Sequence, residues 1–300
     1  MVNNAKQKRI KPAIIVLLLI AALAIPGALI YLQVRKLKNT IPAHITNEGE
    51  VTETSDSIDA SETIISIDDI SKASVGDAVS FGRYEQDNNI SNGYEEIEWL
   101  ILAKEDDRAL LISRYILNCK PYHEKNPQEY ESITWEECTL RKYLNDDFYT
   151  AAFDEEEENR ILTVTLSNPS NPIHGTKGGN DTQDKVFLLS AEELLKYFDF
   201  DWLSSDGTYG YSRKMITRKT EYAVTKGGYN LEITERRYND EIKEYLPADV
   251  IGLSFDIWWL RSPGRLNIDA CAADYCGGWK FANTAECGFG VRPALYVSIR

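Results

Sequence analysis

The chain reads as an α+β domain behind one membrane-spanning helix, and three observations carry that reading. A charge-free apolar stretch stands near the start of the 300 residues. Beyond it, short alternating runs that fit strands are interrupted by helix-start signatures, with no regular strand–helix alternation. The final third is dense in strand-like runs separated by turn formers.

The apolar stretch is AIIVLLLIAALAIPGALIYL, Ala13 to Leu32. Twenty residues at about 1.5 Å each cover about 30 Å, the hydrocarbon thickness of a bilayer. Pro26-Gly27 is tolerated in a membrane helix, and Tyr31 fits an interfacial aromatic. Ala22-Leu23-Ala24 also matches a signal-peptidase site. Apolar character continues past it through Ile25, Leu29, Ile30 and Leu32, which favours an uncleaved anchor over 13–34. Lys6, Lys8, Arg9 and Lys11 precede the span, and Arg35, Lys36 and Lys38 follow it. The extra positive charge on the first side places tail 1–12 in the cytoplasm and the rest outside the cell membrane.

Residues 35–72 are rich in Ser, Thr, Asp and Glu and lack aromatics. Such a stretch buries too little apolar area to offset ordering entropy, so an acidic stalk without fixed structure is expected. The body then runs over 73–300. The whole chain has 33 basic and 47 acidic residues, a formal charge of −14, and residues 1–38 contain no acid. A body more acidic than the chain average repels phosphate backbones, which excludes nucleic acid as a natural partner.

Within the body, Val79–Tyr84 alternates as a first strand, and Ile97–Ala103 with Ala109–Tyr115 reads as a hairpin. Thr134 with Glu137, and Ser190 with Glu193, have capping-box spacing and predict two helix starts. Asp154 followed by Glu155–Glu158 reads as an N-cap and an acidic first turn facing the helix dipole, not as an acidic site. Leu231–Leu246 contains a helical face of Ile233, Tyr238, Ile242 and Tyr245. Strands are expected at 257–261, 269–276, 279–282 and 292–299, with Gly277-Gly278 as a two-residue primed turn.

Four stretches together carry a resemblance: VSFGRYEQDNN from Val79, TWEECTLRKYLNDDFY from Thr134, GGNDTQDKVFLLS from Gly178, and WWLRSPG from Trp258 with VRPAL from Val291. Over about 75–300 the body resembles an uncharacterised bacterial domain-of-unknown-function family carried on surface and membrane proteins of anaerobic Gram-positive bacteria. That family is similar to the C-type lectin-like fold, in the branch shared with formylglycine-generating enzymes and retroelement-diversified binding proteins. The resemblance implies that the first and last strands pair and that late loops form a binding face. The inserted LEITERRYNDEIKEYL region and the late cysteines depart from the pattern.

Catalytic signatures are scarce. Histidine occurs only at 44, 123 and 174, and no G-x-S-x-G, P-loop or Rossmann fingerprint is present. Cys271-x4-Cys276 has the spacing of the copper-binding thiol pair of formylglycine-generating enzymes. In one extended strand, however, five steps place the two about 16 Å apart on opposite faces, so copper is the disfavoured reading. Cys119 and Cys138 are the better disulfide candidates for an exterior domain. Asn180, Asp181 and Asp184 offer hard oxygen donors, a weak Ca²⁺ candidate. The paired Glu-Pro-Asn sugar motif of lectins is absent. Adjacent Trp258 and Trp259 point to opposite faces of a strand, one toward the core and one toward a pocket. With Arg261, Asn267, Asp269, Asp274, Tyr275, Trp279 and Asn283 they form the expected recognition face, aromatic and amide-rich as adaptable binding surfaces are. The first reading is therefore an anchored extracellular binding domain for a surface protein or glycan. A copper-dependent thiol oxidase and a structural envelope module are the alternatives.

Overall fold

The computed structural model describes residues 64–124, 132–199, 212–228, 231–234, 251–275, 277–284 and 288–300. They belong to one unit, Asp56–Arg300; the other unit, Met1–Ser55, lies outside the described residues, as does the apolar segment 13–34. No helix among the described residues is long and apolar enough to cross a membrane.

The architecture is mixed α+β with strands dominant. The strands are β1 (Ile65–Ser66), β2 (Ala78–Tyr84), β3 (Glu95–Lys104), β4 (Arg108–Ser113), β5 (Asn118–Pro121), β6 (Val164–Leu166), β7 (Thr182–Asp184), β8 (Val186–Phe187), β9 (Leu231–Glu232), β10 (Ser254–Phe255), β11 (Trp258–Pro263), β12 (Asp269–Ala273), β13 (Trp279–Asn283), β14 (Gly288–Val291) and β15 (Ala294–Ser298). A six-stranded sheet runs β1-β2-β3-β4-β15-β8, and a five-stranded sheet runs β13-β12-β11-β14-β5. Two small pairs, β6-β7 and β9-β10, complete the set.

The predicted first strand and hairpin are β2, β3 and β4. First and last strands share the large sheet but do not pair: β3 and β4 lie between β2 and β15. The expected stalk ends sooner than composition predicts. β1 lies parallel to β2, Ile70 is buried, and the Lys104 ammonium donates to the carbonyls of Ile70, Ser71 and Ala73 at 2.9, 2.9 and 2.6 Å. Acidic neighbours hid an apolar anchor: Ile65 and Ile67 are half-buried and Ile70 is buried against the sheet edge.

The two direct passages between the large sheets, β4 to β5 and β14 to β15, occur side by side. Ser113 N donates to Pro293 O at 2.8 Å, and Leu117 N to Val291 O at 3.0 Å. Proline suits this point because it has no N–H to leave unpaired where one ladder stops and another starts. The Arg292 side chain staples the crossing, its Nε donating to Ser113 O at 2.9 Å.

Helix starts follow local signals in two of three cases. Ser190 and Glu193 form a reciprocal capping box that opens α4 (Ala191–Tyr197). Asp154 caps α3 (Glu155–Glu158), with Glu157 reaching back to its backbone. Thr134 does not start a helix. Residues 135–137 form a turn, and α1 (Thr139–Tyr143) begins under Cys138, whose Sγ accepts from Arg141 N at 3.3 Å. A π turn, Leu144–Phe148, carries α1 into α2 (Tyr149–Ala152). The last helix among the described residues, α5 (Glu221–Thr225), follows a Thr220 cap. Of the predicted helical face, Ile233 lies just after β9, and Tyr238, Ile242 and Tyr245 lie outside the described residues.

Among the described residues four tryptophans are fully buried, and each indole N–H finds an acceptor: Trp99 on Phe81 O, Trp135 on Asp184 Oδ2, Trp258 on Met215 O and Trp259 on Lys120 O, at 2.7–2.9 Å. Burial of such large rings contributes to stability only when that polar edge is satisfied. Gly82 sits at the bulge of β2 with φ +70°, and an added Cβ would lie 2.5 Å from the Phe153 ring. Its N–H donates to Glu157 Oε1 at 2.9 Å, fastening α3 to the sheet.

Candidate functional site

The expected recognition residues fall on β11, β12 and β13, but they divide. Trp258 and Trp259 do point to opposite faces, yet both are completely buried, because elements cover this sheet on both sides. Trp258 packs against Phe198 and Arg292, and Trp259 against Tyr122 and Phe289. Neither lines a binding surface. Arg261 is also withdrawn: its guanidinium forks onto both oxygens of Glu193, with Leu188 O at 2.9 Å and Ser167 O at 3.3 Å. It braces α4 against β11, as a planar fork does well.

The remaining residues line the β12–β13 hairpin. Asp269 pairs with Asn283 at one end, next to exposed Asn267, while Ala273 pairs with Trp279 at the other, beside Asp274 and Tyr275. Four strand steps separate the ends, about 13 Å. Directly opposed residues share a face, so Asn283, Phe281 and Trp279 form one row along β13. Trp279 and Phe281 meet edge to face at 4.8 Å, and His174 packs edge-on against Phe281 at 5.0 Å. Asp274 holds Lys280 at 3.2 Å, with Tyr275 beneath the ammonium at 5.6 Å. The rings of Tyr275, Trp279 and Phe281 are all partly exposed. Phe281, Lys280 and His174 were missed in the sequence; the W-K-F-A-N alternation was the available signal for the first two. The turn is longer than predicted. Residues 274–278 lie between the last pair, Asp274 N donates to Gly278 O at 2.8 Å, and only Gly277 of the two glycines has positive φ, +80°.

In the Asn180–Asp184 loop the three expected oxygen donors are placed differently from one another. Asp184 is 1% exposed. Its Oδ2 accepts from Trp135 Nε1 at 2.9 Å and Thr182 Oγ1 at 2.7 Å, and its Oδ1 from Arg141 Nε at 2.6 Å. Asn180 Nδ2 donates to Glu136 Oε2 at 2.9 Å, and Asp181 is exposed. Asp184, the buried carboxylate of the three, already engages both oxygens within the fold.

The cysteine expectations change as well. Cys119, Cys138 and Cys271 are free buried thiols, so Cys119 and Cys138 form no disulfide. Cys138 caps α1, while Cys119 Sγ faces Asp256 Oδ2 at 3.6 Å. Burial pushes the Cys119 and Cys138 thiols up to about 12. It pushes Cys271 up as well; that thiol donates to Pro263 O at 3.0 Å. Neutral buried thiols are poor nucleophiles and poor metal ligands. Cys276 lies outside the described residues.

Beside Cys119, Lys219 and Asp256 form an ion pair at 3.0 Å with both side chains fully buried. Lys219 also donates to Gly227 O at 2.5 Å. Gly228, at φ +87°, lies so close that a Cβ there would sit 2.1 Å from Asp256 Oδ2. This pair is closed off by backbone and is structural in its surroundings. Two open concavities among the described residues, about 420 and about 310 Å³, lie elsewhere. The larger is at the start of α1, and the smaller lies over Arg261 and Glu193 between β6 and α4.

A strand-dominated α+β domain with a partly exposed aromatic hairpin at one sheet edge is thus the class that fold and site define. The family model for DUF6273, a domain of unknown function, matches residues 106–299, and the chain belongs to that family. The match begins in the β3–β4 turn, so β1, β2, β3 and the VSFGRYEQDNN stretch lie outside it. No curated protein and no solved structure matches the chain.

Proposed function

We propose that this protein is a single-pass membrane protein that displays a binding domain of C-type-lectin-like lineage outside the cell. Its partner is a protein or glycan of the cell surface. The carrying observation is the β12–β13 hairpin: Trp279 and Phe281 partly exposed on an edge strand and Tyr275 in the turn before it, among Asp274, Lys280, Asn283 and Asn267. Flat aromatic faces flanked by amides and charges suit sugar rings and protein side chains alike. The membrane placement rests on residues 13–34 and their basic flanks. Against the copper-oxidase reading stands Cys271, which is buried, neutral and hydrogen-bonded to a carbonyl.

Two measurements test this. Protease added to intact cells should remove the body and leave a membrane-embedded N-terminal fragment; a fully protected chain would refute external display. The full-length chain in nanodiscs should bind members of a surface-glycan and envelope-protein array. Trp279→Ala should weaken that binding about tenfold or more, as loss of an aromatic anchor does. Unchanged binding in Trp279→Ala would move the surface elsewhere.

A further inference from the structure

The loop joining β2 to β3 brings together three carboxylates, two of them within the VSFGRYEQDNN stretch and none read as a site in the sequence. Glu85 and Asp87 leave β2, and Glu95 opens β3; one oxygen from each lies within 4.8 Å of the others. Backbone amides fix their directions. Gln86 N and Asp87 N donate to Glu95 Oε2 at 2.7 and 3.3 Å, Asn89 N to Glu85 Oε1 at 2.8 Å and to Asp87 Oδ1 at 2.9 Å. Asn92 Nδ2 donates to Asp87 Oδ2 at 2.7 Å. Asn88, at φ +61°, bends the loop around the three.

The second observation concerns Glu85 itself. The residue is 4% exposed, and its Oε2 is buried with no hydrogen-bond donor. A buried carboxylate oxygen without a donor is costly, and two further carboxylates beside it add like-charge repulsion. A cation removes both penalties at once. We propose that Glu85, Asp87 and Glu95 form a Ca²⁺ site. Every donor is oxygen, which selects a hard ion over zinc or copper. A hairpin loop of irregular geometry suits the variable coordination of Ca²⁺ better than the strict octahedron of Mg²⁺.

The site would do more than order its own loop. Tyr222 N of α5 donates to Gln86 O at 2.9 Å, and Thr225 Oγ1 reaches Asn88 Oδ1 at 3.4 Å. Through these bonds the ion fixes α5, which leads directly into Gly227 and Gly228 over the buried Lys219–Asp256 pair. The inference does not depend on the partner of the β12–β13 hairpin.

The test uses the full-length chain in detergent, stripped with chelator and titrated with CaCl₂ or MgCl₂, read by calorimetry and by thermal midpoint. Exterior modules bind Ca²⁺ with dissociation constants on the order of 0.1–1 mM. At ten times that concentration the midpoint should rise by about 3–6 °C. Glu85→Gln and Asp87→Asn should each abolish the rise while still folding, since each removes charge from a crowded site; Asp181→Asn should keep it. No rise in the wild type, a rise retained in both variants, or an equal rise with MgCl₂ would overturn the assignment.

Discussion

Two Asn- and Asp-rich loops of similar composition behave in opposite ways. In the 178–184 loop, Asp184 is enclosed by donors from Trp135, Thr182 and Arg141, so its charge is spent on joining β7 to α1. In the 85–95 loop, backbone amides orient three carboxylates, but Glu85 Oε2 is left without a donor. The difference teaches that acid count says little about metal binding. What matters is whether the fold supplies the counter-charge. Arg141 stands beside the first cluster, and none of the hydrogen bonds to the second comes from a cationic side chain.

The sharpest way to break this comparison is to remove each acid in turn. Asp184→Ala strips the buried Trp135 N–H and Arg141 of their acceptor, and should destabilise the chain by about 3–5 kcal/mol in urea unfolding. A loss below about 1 kcal/mol would mean that Asp184 is not the keystone its contacts indicate. In the same region, the Cys138 thiol rises from its ordinary 9.0 to about 12 through burial. A group raised in the folded state lends stability that is complete below pH 9 and is lost as pH climbs toward 12. Urea midpoints at pH 8 and 10.5 should therefore fall more in the wild type than in Cys138→Ala, by up to about 1.4 kcal/mol per pH unit. Equal falls would remove the thiol from the account. Glu85→Gln, measured in chelator, should change stability by no more than about 1 kcal/mol, and upward, because it relieves repulsion. A large loss would mark Glu85 as a structural partner like Asp184. Smallest of all, Asp181→Asn should stay within about 0.5 kcal/mol with or without calcium, as exposed positions do.

Much of the fold was legible where its cause is local. Alternation located β2, β3 and β4, and the Ser190–Glu193 and Asp154–Glu157 spacings located two helix starts, because caps depend only on neighbours. Thr134 misled because Trp135 is drawn into the core by Asp184, a partner 49 positions away, which delays the helix to Cys138. Trp258 and Trp259 were correctly placed on opposite faces, but nothing local says that both faces are covered. The residues Asp269, Asp274, Tyr275, Trp279 and Asn283 were singled out by type and fall along one hairpin, whereas Phe281 in the same row was not named. Glu85 and Glu95 were invisible as a pair, since only the β2–β3 hairpin brings them together.

The position of β15 has a consequence for biosynthesis. It is the last strand of the domain, yet it fills an interior place between β4 and β8, and its backbone also receives Leu162 N at Tyr296 O. A chain still emerging from the ribosome lacks that strand, so β4 and β8 have no partner across the gap and the large sheet stays open. The large sheet closes only once residue 298 has left the ribosome, so the facing edges of β4 and β8 stay exposed until the domain is complete.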